Sequence, residues 1–322
     1  MAKLSASKKR APRKSAQRKR RPLARAAWLL RRAAGLQILE SPALSKFNWL
    51  VHGFSTRPGG SSELESAVSG KKKKEAILNL GFTDWDKRER VEANRQKFFH
   101  AIGAAKMQVV TLRQIHSDIV HKIHSASSEN PRQGDALITR EKSILLTVQT
   151  ADCIPILLAD TKRRAVAAIH SGWRGTLARI AAKTLGRMQM EFGTRPEDVV
   201  AALGPGIGRC CYEVGEEVAK EFAAQFPEAR GWFDGPFDAL ASGESDPNWL
   251  PWLTMKPPGH APPPLRAHLD LIAANRAILA AAGVAPKNIS SSSYCTACRT
   301  DLFFSYRRER TTGRMMAAIG IS

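Results

Sequence analysis

Apolar and polar positions along the chain fall into two alternating rhythms from about Phe47 onward. Short runs dense in Val, Ile, Leu and Ala read as strands: FNWLVHGFS, MQVVTLRQIHSDIV, SILLTVQ, IPILLAD, AVAAIH, VVAAL, LFFSYRRE and RMMAAIGI. Longer segments with a three-to-four residue apolar spacing read as helices. DWDKRERVEANRQKFFHAIG puts Val91, Phe98 and Ile102 near one face, with Gly103 as a stop. TLARIAAKTLGRMQMEFG does the same with Leu177, Ile180, Leu185 and Met188. GEEVAKEFAAQF and DLIAANRAILAAAG complete the set, the latter with Asp270 as N-cap and Gly283 as a stop. Several successive strands are joined by short turns, which implies antiparallel pairing. The predicted class is α+β, with mixed, largely antiparallel sheets flanked by helices.

The same patterning divides the chain. Residues 1–46 read as a basic extension, and 47–322 as a single folded domain. Two stretches look like inserted loops: about 61–75, small polar residues followed by four lysines, and 227–268, rich in Pro, Trp and Gly.

One pair of strands has chemical content. IPILLAD and AVAAIH flank the polar TKRR, which is the grammar of a hairpin. A turn centred between Thr161 and Lys162 places Cys153 opposite His170 at the open end. Directly opposed side chains share a face, with Cβ atoms about 4.5–5.5 Å apart. A thiol beside an imidazole serves two chemistries. Histidine activates cysteine as a nucleophile, or both ligate a metal and a third donor is required. His116 in LRQIHSD, near the end of another strand, is the best third donor. Two nitrogens and one sulfur with an open fourth position form a catalytic zinc pattern.

Other motifs offer less. Cys295 and Cys298 in CTAC have the spacing of half a zinc ribbon, yet Cys210 and Cys211 are adjacent and supply no second C-x2-C, so a structural or incidental role is expected. GPGIG matches neither phosphate-binding fingerprint and reads as a tight loop leading to a helix. His121 and His124 follow a strand, where their side chains point apart.

Composition adds limits. The chain of 322 residues is 43% hydrophobic, ample for a core. No run of apolar residues is long enough for a membrane span, and the start lacks the apolar stretch of a signal peptide. Five cysteines, an odd number, favour free thiols in a reducing, cytoplasmic setting. The formal charge of +21 is concentrated in the first 32 residues, which hold thirteen Lys and Arg and no acid, leaving about +8 for the rest. That tail reads first as a solvated arm, with weak attraction for nucleic acid or an acidic surface and an organelle-targeting peptide as the alternatives. It has no interleaved aromatics for base stacking.

Taken together, HGFSTRPGG, LNLG, VEANR, LRQIHSD, GDALIT, TADCIPILLAD, AIHSGWRGT, ALGPGIGRCCYEVGEEV and CTACRTDLFFSYRRERTTGRMMAAI resemble the YfiH family. Its members are also called laccase-domain or polyphenol-oxidase-like proteins and are read as purine nucleoside enzymes. The resemblance covers about residues 50–322 and implies an α/β/β/α layered sandwich. It implies zinc on His116, Cys153 and His170, the trio the hairpin had begun to assemble. It also implies phosphorolysis of adenosine, inosine and methylthioadenosine to base and sugar 1-phosphate, and deamination of adenosine to inosine. Ser171 and Ser117 stand where the family usually has Ala and Gly.

A zinc ion lowers the pKa of its water to about 7, which suits deamination. Phosphorolysis needs a cationic seat for phosphate, for which Arg57 and Arg174 are the candidates, with Asn79 for sugar or base. A multicopper laccase builds its cluster from His-x-His pairs. This chain has eight histidines and no such pair. Copper remains able to occupy a Cys–His–His site. A copper oxidase and a metal-free Cys–His hydrolase stand as the alternative readings.

Overall fold

The computed structural model describes residues 28–68, 71–125, 132–242 and 266–322. Two six-stranded sheets carry the architecture. In the first, the strand order is Leu29–Ala33, Leu36–Glu40, Leu50–Ser55, Met315–Ile321, Ile144–Thr150 and Gln108–Val110. In the second it is Ile289–Ser291, Val199–Leu203, Ile154–Asp160, Ala165–Ser171, Ala136–Thr139 and Val120–Lys122. Pairing is antiparallel within both, except for a parallel strand at one edge of the first and at both edges of the second.

The central strands are buried on both faces, and the period-two rule sorts their side chains into layers. Leu157, Ala159, Val166 and Ala168 meet Leu146, Val148, Ala317 and Ile319 between the sheets. The alternate residues Ile154, Ile156, Leu158, Ala167 and Ile169 face a second core. Helices Ile180–Phe192, Glu216–Gln225 and Leu271–Ala281 pack there. Beyond the first sheet, Met316 and Ala318 pack on Phe98 and Phe99 of helix Arg88–Ala101. The layering is therefore helix, sheet, sheet, helix, as the family resemblance implies.

Several local expectations hold for the reasons given. Asp270 caps its helix by accepting from the Ala273 N–H at 2.8 Å, and Gly283 leaves that helix with φ of 97°. Others are corrected. Folded structure begins before Phe47, because Leu29–Ala33 and Leu36–Glu40 form a hairpin on the edge of the first sheet. Arg31, counted with the basic extension, pairs with Glu40 at 2.7 Å. The stretch at 61–75 is a hairpin of Pro58–Val68 with Lys71–Ile77 rather than a loop.

Of 227–268, residues 229–242 carry a short 3-10 turn, a strand and helix Phe237–Ser242. There Trp232, Phe233, Phe237 and Leu240 extend the second core. Positions 243–265 lie outside the described residues, as do residues 1–27 with most of the basic tail. MQVVTLRQIHSDIV splits into two short strands around an irregular segment. The helix expected over TLARIAAKTLGRMQMEFG breaks into Trp173–Leu177 and Ile180–Phe192, with Arg179 at φ of 57° between them. LFFSYRRE is no strand: Ser305 accepts from the Arg308 N–H and starts a short helix, Tyr306–Glu309. No helix among the described residues is long and apolar enough to cross a membrane.

Candidate active site

The hairpin forms over the four residues TKRR, its turn centred between Lys162 and Arg163, one residue later than expected. Asp160 accepts from the N–H groups of Lys162 and Arg163 and pins that turn. Arg164 takes the left-handed conformation at φ of 51°. The ladder consequently runs Pro155 opposite His170 and Ile154 opposite Ser171, two residues away from the expected register. A shift of two keeps every side chain on its face. Cys153 therefore stays on the His170 side, one step beyond the end of the strand.

Three elements then bring His116, Cys153 and His170 together. Their ligand atoms all lie within 4.8 Å of one another. His116 Nε2 stands 3.8 Å from Cys153 Sγ, and the two imidazole rings are 4.9 Å apart. Two of the positions involve backbone that L-residues seldom adopt: His116 has φ of 59° and Asp152, just before the cysteine, φ of 95°. Gly172 is required at the crossing. A Cβ there would sit 2.8 Å from Cys153 Sγ and 3.1 Å from His116 Cδ2.

The organising residue is Asp135, which sequence reasoning did not single out. Fully buried, it accepts from His170 Nδ1 at 2.8 Å. It also accepts from the backbone N–H groups of Ile115, His116 and Ser117 and from the Ser117 hydroxyl. One carboxylate thus positions two of the three donors and leaves His170 Nε2 for the site. Burial pushes Asp135 upward, but the bonds from His170 and Ser117 prevail and hold it near 2. Its only legible signal was the Gly-Asp before a strand in GDALIT.

Burial likewise opposes ionisation of Cys153. The neighbouring His170 charge and the His116 bond outweigh it and bring the thiol down to about 6. His170 is desolvated as well, yet the Cys153 thiolate and Asp135 raise it to about 9. The Cys153 thiolate and a protonated His170 thus favour each other. A divalent cation held by the three donors would take that proton's place, and the two-nitrogen, one-sulfur set fits zinc or copper.

The trio opens into a cavity of about 710 Å³ at one end of both sheets, of a size that suits a small-molecule ligand. Trp173, Tyr212 and Tyr306 supply aromatic lining, and Arg307, Arg310 and Arg314 supply positive charge. Asp152 ties this wall to the donors. Its carboxylate accepts from the Arg307 N–H at 2.6 Å and the Thr296 hydroxyl at 2.6 Å. The three arginines were visible as RRERTTGR, but reading Arg307 into strand LFFSYRRE and Arg314 into strand RMMAAIGI hid their common wall.

The other sequence candidates are placed differently. Arg57 is buried behind the wall. Its guanidinium bonds Glu309 at 2.5 Å and lies over the Phe304 ring, so it braces the turn that bears the lining arginines. Asn79 is fully buried, donating to Gly81, Thr83 and Asp86 and accepting from the N–H groups of Gly81 and Arg314. Neither residue lines the cavity. Arg174 is exposed and stacks over Trp173, its guanidinium carbon 4.3 Å from the ring centroid.

Fold and site define an enzyme built as a two-sheet sandwich, with a metal-capable nitrogen–sulfur trio at the end of its strands. Residues 51–322 match the family model described as multi-copper polyphenol oxidoreductase laccase, and the chain belongs to that family. It is 37% identical to a purine nucleoside phosphorylase of Deinococcus radiodurans, over 90% of this chain and 94% of that one. It is 38% identical to adenosine deaminase RL5 of an unknown prokaryotic organism, over 54% of this chain and 56% of that one. A solved structure of the Bacillus licheniformis hypothetical protein YfiH superposes with a TM-score of 0.71 at 29% identity, covering 90% of this chain and 97% of that chain.

Proposed function

We propose that this chain is a zinc-dependent purine nucleoside enzyme. It cleaves adenosine, inosine and methylthioadenosine with phosphate to base and sugar 1-phosphate, and deaminates adenosine to inosine. The observation that carries this reading is the convergence of His116, Cys153 and His170 on a cavity that also holds three aromatic rings and three arginines. The relatives named as a purine nucleoside phosphorylase and an adenosine deaminase support the substrate class.

His116, Cys153 and His170 are the residues that would hold the ion. When bound, zinc supplies a Lewis acid that polarises and acidifies a water. The chain's own residues do the rest. Asp135 keeps the proton of His170 on Nδ1, so that Nε2 faces the site as a lone pair. The rings of Trp173, Tyr212 and Tyr306 offer stacking faces for a purine.

Arg307, Arg310 and Arg314 hold the phosphate anion by charge-assisted bonds. One phosphate oxygen forms the new bond to the ribose anomeric carbon as the glycosidic bond breaks, and the base leaves with a proton. In deamination a water adds to C6 and ammonia departs. Arg174, stacked on the cavity-lining Trp173, is a further phosphate contact in this reading. Arg57 and Asn79 act through the residues they brace. The donor count argues against a laccase cluster, because His116 and His170 are the only histidines gathered in a metal-capable group among the described residues.

The test is product analysis with adenosine. Inosine is expected without phosphate, and adenine, hypoxanthine and ribose 1-phosphate with it. Chelation should abolish both activities and zinc should restore them. Absence of every product overturns the proposal. Activity that survives chelation but not alkylation of Cys153 replaces it with a metal-free Cys–His hydrolase.

A further inference from the structure

Four cysteines dismissed on sequence spacing form a second cluster. The adjacent Cys210 and Cys211 lie on the turn after the Gly-rich loop, and Cys295 and Cys298 lie on the segment that follows strand Ile289–Ser291. Their sulfurs all lie within 4.8 Å of one another. Cys298 Sγ is 3.5 Å from Cys210 Sγ and 3.4 Å from Cys211 Sγ. A disulfide needs about 2.05 Å, and all five cysteines are free thiols. Sulfurs around one tetrahedral zinc with bonds of about 2.3 Å stand about 3.8 Å apart, so the cluster has the size of a tetrathiolate cage.

The backbone holds this cage independently of any ion. Cys211 and Tyr212 both donate to the Gly208 carbonyl, closing one turn. Arg299 donates to the Cys295 carbonyl, closing the other. The two turns are joined by the Gly206–Cys295 bridge and by the Thr296 N–H to the Gly206 carbonyl. The Gly208 N–H donates to Cys295 Sγ at 3.1 Å, a bond that stabilises a thiolate. A Cβ at Gly208 would stand 3.1 Å from Cys295 Cβ and 3.3 Å from Cys210 Sγ, so the two turns meet closely at this glycine.

We propose that Cys210, Cys211, Cys295 and Cys298 bind one soft divalent metal ion, zinc by preference, as a closed structural site distinct from the His116–Cys153–His170 trio. Four sulfur donors select zinc or iron over harder ions, and four protein ligands leave no open position for chemistry. The four thiols release their protons to solvent as the ion binds. Its place in the molecule gives it a task. One turn carries Ile207 and Tyr212 into the cavity, and the other leads into the helix and turn that carry Arg307 and Arg310. The ion staples these two parts of the cavity wall together.

The experiment uses the full chain with Cys153→Ser, which removes the single thiolate of the other site. Titrating the metal-free, reduced variant with Co2+ alone should give a thiolate-to-cobalt charge-transfer band and tetrahedral visible bands saturating at one equivalent. Zn2+ should bleach them. Adding Cys298→Ser, or the exposed Cys210→Ser if that protein does not fold, should remove most of the charge-transfer intensity. The native protein should carry two zinc ions per chain. A single ion that persists in Cys153→Ser supports the cysteine cage even if the nucleoside reading fails. Absence of the charge-transfer band in Cys153→Ser, its survival unchanged in Cys298→Ser or Cys210→Ser, or isolation of the native protein with a metal-free disulfide among these cysteines overturns the proposal.

Discussion

A single carboxylate shows how much of this site is decided by hydrogen bonds. Asp135 pairs with the His170 imidazole at 2.8 Å and accepts from three backbone N–H groups as well. Asp135→Asn keeps the volume and loses the charge. Metal affinity at the trio should then fall about 10- to 100-fold, measured by competition with a chromophoric chelator. The thiol of Cys153 offers an independent check in the metal-free protein. Because its pKa lies near 6 instead of 9, alkylation traced by peptide mapping should be fast above pH 6 and be lost as pH falls below it. A profile centred above 8 would contradict the proximity of His170 and His116. At this scale the sequence was legible for His116, Cys153 and His170, whose residue types advertise ligation. It was silent for Asp135 and Asp152, since an aspartate in a loop has many ordinary uses.

Among elements, the hairpin and the turn after Phe304 carry the argument. The hairpin was read from its polar centre, and only its register differed. Asp160 draws the turn one residue later by bonding two backbone N–H groups, and face parity survives a two-residue shift. Gly172→Ala tests the crossing at its open end. Placing a methyl within 2.8 Å of Cys153 Sγ should reduce metal occupancy, read by elemental analysis, with a modest loss of thermal stability.

The turn was misread because LFFSYRRE has the composition of a strand, whereas Ser305 as a cap and the Arg57–Glu309 pair fold it into a helix end. Arg310 projects from that turn, packed over Tyr306. A bond from a guanidinium to phosphate contributes about 1.5–3 kcal/mol. Arg310→Ala should therefore raise the phosphate KM about 10- to 100-fold while leaving phosphate-independent deamination near its original rate. Equal loss of both activities would place Arg310 outside the phosphate seat.

For the whole molecule, acid stability should report one buried imidazole. His52 lies in strand Leu50–Ser55, where its Nε2 accepts from the Ser41 N–H at 3.1 Å. Burial lowers it to about 4 from an ordinary 6.5. The unfolded chain takes up a proton below 6.5 and the folded chain does not until about 4. Stability is therefore highest above that window and declines as pH falls through it. The total for this residue is about 3 kcal/mol. His52→Gln should flatten the pH dependence of urea unfolding between pH 6.5 and 4; an unchanged slope would show that His52 titrates normally.

By itself the sequence determined most of the strands and helix faces, the mixed, largely antiparallel class, and the residue types of the His116, Cys153 and His170 trio. Those follow from side-chain period and chemical type, which are local properties. Tertiary structure alone decided that an early hairpin completes the first sheet, that Asp135 orients the donors, and that three arginines rather than Arg57 or Asn79 line the cavity. It alone gathered two pairs of cysteines separated from each other by more than eighty residues of chain. Such meetings depend on how two sheets stack and which loops their ends share, and no short-range pattern encodes a distance between segments so far apart.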